Sequence, residues 1–166
     1  MISTFFFLCF FLYAWLVVEP VFFFHNLALR NGFPVFYTGW DFSKKYLSVP
    51  GGTIEYLSAL LSQSFFSSFF GALSITFVAI GICYYTAKCF KYFNVRIPAI
   101  FVFVPALLQI VIYNRYLHMM QIFLSILTAL FTTIVFFKSS PKKAPLRIIV
   151  FVVITFVLYY LLEEPA

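Results

Sequence analysis

The longest apolar stretch of the chain, residues 53–87, reads TIEYLSALLSQSFFSSFFGALSITFVAIGICYYTA. As one helix at about 1.5 Å per residue it would be about 50 Å long, whereas the hydrocarbon core of a bilayer is roughly 30 Å thick. We therefore expect a break near Phe69-Phe70-Gly71-Ala72. The first part, 53–68, mixes an acid, a glutamine and several serines with large apolar residues, which favours an interfacial or re-entrant helix. The second part, 70–89, has the composition of a membrane span.

The composition of the whole chain is that of a protein in lipid. Of the 166 residues, 64% are hydrophobic and only 10% are charged, whereas soluble domains carry about 25% charged residues. The net charge of +6 comes from short basic clusters at the ends of apolar runs, a pattern that argues against nucleic acid as a partner. Cys9, Cys83 and Cys89 lack the paired spacing of a zinc site or a disulfide framework. We expect an all-α integral membrane protein with no metal and no cofactor.

Hydropathy divides the chain into a single transmembrane domain with about five spans. These are residues 2–24, 70–89, 97–113, 116–137 and 146–162, with an external loop at 25–52 and an interfacial or re-entrant helix at 53–68. Glu19-Pro20 interrupts the first span, which should therefore bend or end near Val18. No basic residue precedes this span and no cleavage pattern follows it, so we interpret it as a retained span and not as a signal peptide.

The basic residues predict the orientation of the spans. Short loops rich in lysine and arginine stay in the cytoplasm, and with five spans one side holds Lys88, Lys91, Arg96, Lys138, Lys142, Lys143 and Arg147. This places the N-terminus in the cytoplasm, and the loop at 25–52 and the C-terminus outside, in a bacterial inner membrane. If residues 53–68 crossed the membrane, every later assignment would invert.

The segment Pro50-Gly51-Gly52 predicts a turn, because proline fixes one dihedral angle and the glycines allow positive φ. Thr53 then stands at the N-cap position of the next helix. Glu55 falls in its first turn, where the helix dipole favours an acid. The simplest interpretation is a well-defined helix start.

Asp41 is the candidate catalytic acid of the polar loop. It lies between two aromatic residues and precedes Lys44 and Lys45. The favoured interpretation is that Asp41 caps a short helix and that the lysines lie among lipid head groups. The alternative is that Asp41 binds a metal or deprotonates a lipid-linked substrate while Lys44 and Lys45 bind its phosphates.

Several polar residues fall within or beside the predicted spans. The intramembrane candidates are Glu19, Gln63, Gln109 and Gln121. Glu19 either lies inside the bilayer edge, where ionisable residues are costly and are usually paired or functional, or is interfacial if the span ends early. Its candidate partners are His25, Arg30, Arg115 and His118. Arg115, His118 and Gln121 recur every three residues and predict a polar stripe on the fourth span, with Arg115 and His118 as candidate binding residues. Such stripes more often join helices than carry chemistry.

The order of residues after Trp40 resembles a family signature. It consists of Asp41-Phe42, Tyr46-Leu47, Pro50-Gly51-Gly52, Glu55-Tyr56-Leu57, Gln63, Phe65-Phe66 and Gly71-Ala72-Leu73. This is similar to the D-F-x-x-x-Y-L-x-x-P-G-G-x-x-E-Y-L segment of an uncharacterised family of multi-pass membrane proteins from Bacteroidota. The resemblance covers mainly residues 41–73 and implies localisation and topology but no activity. Members of that family are considerably longer, which leaves open that this chain is the N-terminal portion of a longer protein.

The sequence indicates a membrane protein without indicating a reaction, so whether it is an enzyme stays open. We expect a non-enzymatic or incomplete membrane module, with lipid and other membrane subunits as candidate partners. One alternative is a glycosyltransferase-like protein acting on polyprenyl-phosphate-linked sugars, with Asp41 as the acid of its external loop. Against this, the usual paired acids are absent from the loop and five spans are too few. The other alternative is a transporter component, which would need polar residues from several spans near the midplane.

Overall fold

In a computed structural model, the described residues are 2–23, 36, 39–95, 98–115, 120–139 and 144–162. Within these ranges the chain is all-helical and contains no strand, which confirms the predicted all-α class. The α-helices are α1 (Ile2–Tyr13), α2 (Trp40–Leu47), α3 (Gly52–Ser62), α4 (Ser68–Tyr92), α5 (Val104–Tyr113), α6 (Met120–Ser139) and α7 (Ala144–Leu162). The centre of the bundle is α4, which packs against α1, α5 and α6.

Three helical segments are long and apolar enough to cross a membrane, fewer than the five spans predicted. They are Ser3–Phe23, Ser68–Tyr92 and Met120–Lys138, and two shorter apolar helices are Ala99–Tyr113 and Pro145–Tyr160. The first of the shorter helices begins after Pro98 as a 3₁₀-helix, Ala99–Phe103, before α5 takes over. Part of the predicted third span is therefore not α-helix.

The long apolar stretch is broken, but at Ser67 and not at the predicted Phe69–Ala72. After α3 comes a 3₁₀-helix, Gln63–Phe66, and then Ser67 adopts an extended conformation with φ −127° and ψ 129°. The Ser64 and Ser74 hydroxyl oxygens are 2.7 Å apart. Ser74 lies six residues, or about 9 Å, along α4. The chain therefore doubles back, and the 3₁₀-helix lies beside the second turn of α4.

The first helical segment, Ser3–Phe23, is interrupted after Val18, which confirms the predicted bend. After α1 the chain continues as a π-helix, Ala14–Val18, and Glu19 follows in the left-handed conformation with φ 45° and ψ 75°. The Phe22 and Phe23 amides then bond to the carbonyls of Glu19 and Pro20 at 2.9 and 3.0 Å. Pro20 is buried and lies against Gly71 in the first turn of α4.

The predicted turn at Pro50-Gly51-Gly52 is confirmed, since Gly51 has φ 77°. Glu55 lies in the first turn of α3 as predicted, but the prediction of Thr53 as N-cap is wrong because Gly51 holds that position. Gly52, the first residue of the helix, approaches the Tyr46 carbonyl so closely that any Cβ there would overlap it. Only glycine allows helical backbone at this point.

Hydrogen bonds define the two ends of the bundle. The Gly51 amide donates to the Tyr160 carbonyl at 2.6 Å, so the C-terminal end of α7 meets the start of α3; we name this the turn end. The Tyr92 hydroxyl donates to the Phe137 carbonyl at 3.3 Å, which brings the ends of α4 and α6 together at the opposite end. Four described basic residues lie towards that opposite end, which we name the basic end: Lys88, Lys91, Lys138 and Arg147.

We expect Gly71→Ala to lower the free energy of unfolding by about 1–3 kcal/mol, the usual cost of overpacking. The new Cβ would overlap Cβ of the buried Pro20. The measurement is thermal or denaturant unfolding in detergent. Gly81→Ala, in the same helix, is the matched control, because its Cβ would meet only the end of the Leu127 side chain at 3.0 Å. Both variants gain helix propensity of up to about 1 kcal/mol, so equal stability would contradict the tight contact at Gly71.

Candidate functional site

The surface of the turn end is built on α2, which an aromatic cluster holds against α3. The rings of Phe42 and Tyr46 pack 4.8 Å apart, and the Tyr56 ring of α3 lies 6.2 and 6.3 Å from them. The Ser43 hydroxyl donates to the Gly39 carbonyl at 3.1 Å, and its oxygen lies 3.5 Å from the Tyr56 hydroxyl. One face of α2 is thus fixed, and its other face is exposed.

Asp41, Lys44 and Lys45 lie on the exposed part of this short helix. Asp41 is in the first turn and the lysines are in the last, the arrangement that a helix dipole favours. Gly39 and not Asp41 is the N-cap residue, and no side chain makes a capping hydrogen bond there. Among the described residues, Asp41 forms no salt bridge with either lysine. The residue is therefore a solvated acid in a helix turn.

Tyr46 is the titratable group of this region whose environment changes its chemistry. Burial, and to a smaller extent the negative charge of Glu55, raise the pKa of the Tyr46 phenol above its ordinary value. Both effects disfavour the phenolate. Tyr46 therefore remains a neutral member of the aromatic cluster and cannot serve as a base near neutral pH.

Glu19 lies at a helix end and not inside a continuous helix. Its side chain is half-buried, and its backbone is left-handed, an uncommon conformation for a residue with a Cβ. A π-helix precedes it, and such segments often occur at functional sites. The candidate partners His25, Arg30 and His118 lie outside the described residues. Arg115 is described, in the exposed turn after α5, and forms no salt bridge with Glu19.

The predicted polar stripe on the fourth span is described only in part. The helix α6 begins at Met120, so Arg115 precedes it, His118 lies outside the described residues, and Gln121 is half-buried in its first turn. Gln63 lies in the 3₁₀-helix after α3, where its side-chain amide donates to the Ala59 carbonyl at 3.5 Å. These residues therefore belong to different elements.

Gln109 is the most unusual polar side chain of the described structure. It is fully buried in α5 and donates to the Ile75 backbone carbonyl of α4 at 3.4 Å. Among the described residues, its Oε1 atom has no hydrogen-bond partner. An unpaired buried acceptor costs free energy, so native structures rarely retain one without a reason.

Tyr113, one helical turn further along α5, is also fully buried. Its hydroxyl has a weak partner, the Met120 sulfur at 3.8 Å, and its ring packs on Phe23, Phe65 and Phe123 at 5.6, 6.4 and 5.7 Å. No sequence pattern indicates this cluster beyond the position of Tyr113 at the end of a predicted span. Together with Gln109 it forms a buried, weakly paired polar strip on α5.

This strip can accept or donate hydrogen bonds but brings no acid or nucleophile into the core. Cys83 is buried in α4, Cys9 is exposed and Cys89 is half-buried, and all three are free thiols. Within the described ranges, no three His, Cys, Asp or Glu residues come close enough to hold a metal ion. The candidate site is thus the buried strip of Gln109 and Tyr113, beside the broken segment between α3 and α4.

We expect Gln109→Met to leave the free energy of unfolding unchanged or to raise it by about 1 kcal/mol. The substitution removes a buried acceptor that has no partner while keeping the side-chain length. Gln109→Glu should be clearly destabilising, because it buries an acid at the same place. Both are measured by unfolding in detergent, with Gln121→Met at a half-buried position as the control. A large loss of stability in Gln109→Met would mean that Oε1 is paired in the folded protein.

Comparison with known proteins places the chain in a family. The model of a family of unknown function, DUF6057, matches residues 1–165. The match extends over the whole length and not mainly over residues 41–73, where the sequence resemblance was expected. No curated protein and no solved structure matches the chain.

Proposed function

We propose that this chain, a member of the DUF6057 family, is a multi-pass membrane module without an active site of its own. The observation that carries the proposal is the outer surface of the bundle. Large apolar side chains cover it, including Phe77 with 72% of its surface exposed and Phe156 with 69%. Soluble monomers rarely expose contiguous apolar patches larger than a few hundred Å². Lipid is the environment that such a surface fits.

All five apolar segments can cross the bilayer on this proposal. The 3₁₀-helix Ala99–Phe103 and α5 together rise about 25 Å, since a 3₁₀-helix gains about 2.0 Å per residue. The 19 residues of α7 rise about 28 Å. Both lengths approach the roughly 30 Å of the hydrocarbon core, so these two helices would cross nearly upright with little tilt.

On the same proposal α3 is a re-entrant helix. Ile54, Ser58, Ala59 and Ser62 are buried, so α3 packs into the bundle and does not lie only on its surface. The extended backbone at Ser67 would be tolerated at membrane depth because protein covers it. This placement supports the five-span topology, since a re-entrant segment returns the chain to the side from which it came.

The distribution of charge supports an N-terminus in the cytoplasm of a bacterial cell, with the protein in the inner membrane. The first helical segment runs towards the turn end, where Pro20 lies against Gly71, so the N-terminus is on the side of the basic end, and short basic loops stay inside. The turn end, which carries α2 and the end of α7, would then face outwards. We include two further points in this proposal. The protein comes from Bacteroidota, and the residues between Asp41 and Leu73 form a family signature.

The position of Asp41 supports a module over the glycosyltransferase alternative. A catalytic acid acting on a lipid-linked phosphate should share a cavity with Lys44 or Arg115. Asp41 lies instead in the first turn of an exposed helix. For a transporter, Gln109 should line a cavity with polar residues of other helices, and the cavities along α4 and between α6 and α7 do not include it. Assembly with lipid or other membrane subunits fits these positions better.

We expect a membrane-impermeant maleimide to label Ser48→Cys in intact cells of a bacterial host, and to label Ser140→Cys only after the membrane is opened. Ser48 is exposed at the turn end, and Ser140 directly follows the last residue of α6 in the sequence. Both variants are made in a background in which the three native cysteines are replaced by serine or alanine. Labelling of Ser140→Cys but not of Ser48→Cys in intact cells would reverse the topology. Recovery of the protein in buffer without detergent would contradict the membrane proposal itself.

A further inference from the structure

Two apolar grooves run along the exposed side of α4. The groove between α3 and α4 has a volume of about 370 Å³ and is lined by Leu61, Leu73, Ser74, Thr76, Phe77 and Ile80. The groove between α1 and α4 has a volume of about 430 Å³ and includes Phe7, Phe11 and Phe69. Both grooves contain Leu73, Thr76 and Ile80. They are therefore neighbours that share one wall.

The hydroxyl groups of this shared side of α4 already have partners. Ser74 is 2.7 Å from the Ser64 hydroxyl, and Thr76 donates to the Ala72 carbonyl at 2.7 Å. Apart from Thr4 near the start of α1, the other lining side chains are apolar. Gln109 lines neither groove. Both grooves thus suit a hydrocarbon chain and offer little to a polar solute.

The length of the grooves matches one leaflet of a bilayer. Along α4 they extend from Phe69 to Ile80, which is about 16 Å at 1.5 Å per residue. The hydrocarbon core is roughly 30 Å thick, so this is about half of it. Because Phe69 is close to the turn end, the half in question is the outer one on the proposed topology.

The residues on the two sides of α4 favour lipid over another helix. Transmembrane helices associate through small residues, which let their backbones approach. The small residues Gly71, Ala72 and Ala79 are buried against the chain's own bundle. The exposed side carries Leu73 and Phe77 instead. A second copy of the chain would find no close-packing stripe here.

We propose that these paired grooves are a binding site for one diacyl phospholipid of the outer leaflet, with one acyl chain in each groove. Two grooves with a common wall fit two chains joined at a head group better than they fit a single polyprenyl chain. The proposal rests on the membrane placement above and adds a specific lipid site to it.

The test counts lipid retained by the full chain. The protein is purified in a mild detergent from membranes of a bacterial host, and bound lipid is identified by native mass spectrometry and by extraction. We expect the wild type to retain phospholipid, and Leu73→Trp and Ile80→Trp to retain several-fold less because they fill the shared wall. Phe156→Trp on α7 is the matched control and should retain as much as wild type. Thermal unfolding of each variant checks that it is folded.

A second measurement does not depend on filling the grooves. In a background with Trp15 and Trp40 replaced by phenylalanine, a phospholipid with brominated acyl chains should quench Phe77→Trp more strongly than Phe156→Trp at low lipid content. Equal quenching, unchanged retention in the filled variants, or retained lipid that is a polyprenyl phosphate would overturn the proposal. A lipid-free dimer would overturn it too. If the protein needs detergent to stay in solution but retains no lipid, only the proposed lipid site is refuted. If it needs no detergent, the membrane placement is refuted.

Discussion

The contact between Pro20 and Gly71 joins two places where the helical backbone of the bundle is interrupted. The chain leaves helical geometry at Glu19 and again at Ser67. Pro20 follows the first interruption and Gly71 follows the second. The rings of Phe23 and Phe65, one from each interrupted segment, lie 6.0 Å apart and are buried. Each break is thus covered by the other, which is the arrangement that irregular backbone requires in an apolar medium.

Several serine and threonine hydroxyl groups donate to backbone carbonyls of their own helices. Ser62 donates to the Ser58 carbonyl at 2.6 Å, Thr76 to that of Ala72 at 2.7 Å and Thr128 to that of Leu124 at 2.8 Å. Each bond reaches back one helical turn, so a serine or threonine needs no partner from outside its helix. In this way the serine-rich helix α3 can pack into the core, and neighbouring helices need to supply few hydrogen-bond partners.

The sequence could predict that a break must exist, but not where it falls. Length alone excludes a single helix over residues 53–87. The glycine at 71 looked like the breaking residue, yet it lies inside α4 and serves a close contact that only the folded chain contains. Thr53 is likewise predicted as an N-cap from its local position after the Pro50-Gly51-Gly52 turn. The N-cap lies two residues earlier, at Gly51, where the next residue, Gly52, approaches the Tyr46 carbonyl, and no local pattern records that approach.

The buried strip on α5 was equally hidden, because hydropathy treats Gln109 as one polar residue in an apolar run. Its setting depends on how closely α4 and α5 approach. Ala79 and Ala106 are both fully buried, and the Cys83 thiol lies against the backbone N–H of Ala106, so small side chains bring the two helices together. That approach allows the Gln109 amide to reach the Ile75 carbonyl of α4. The same small residues fix the register of α5 and hold the Gln109 side chain against α4.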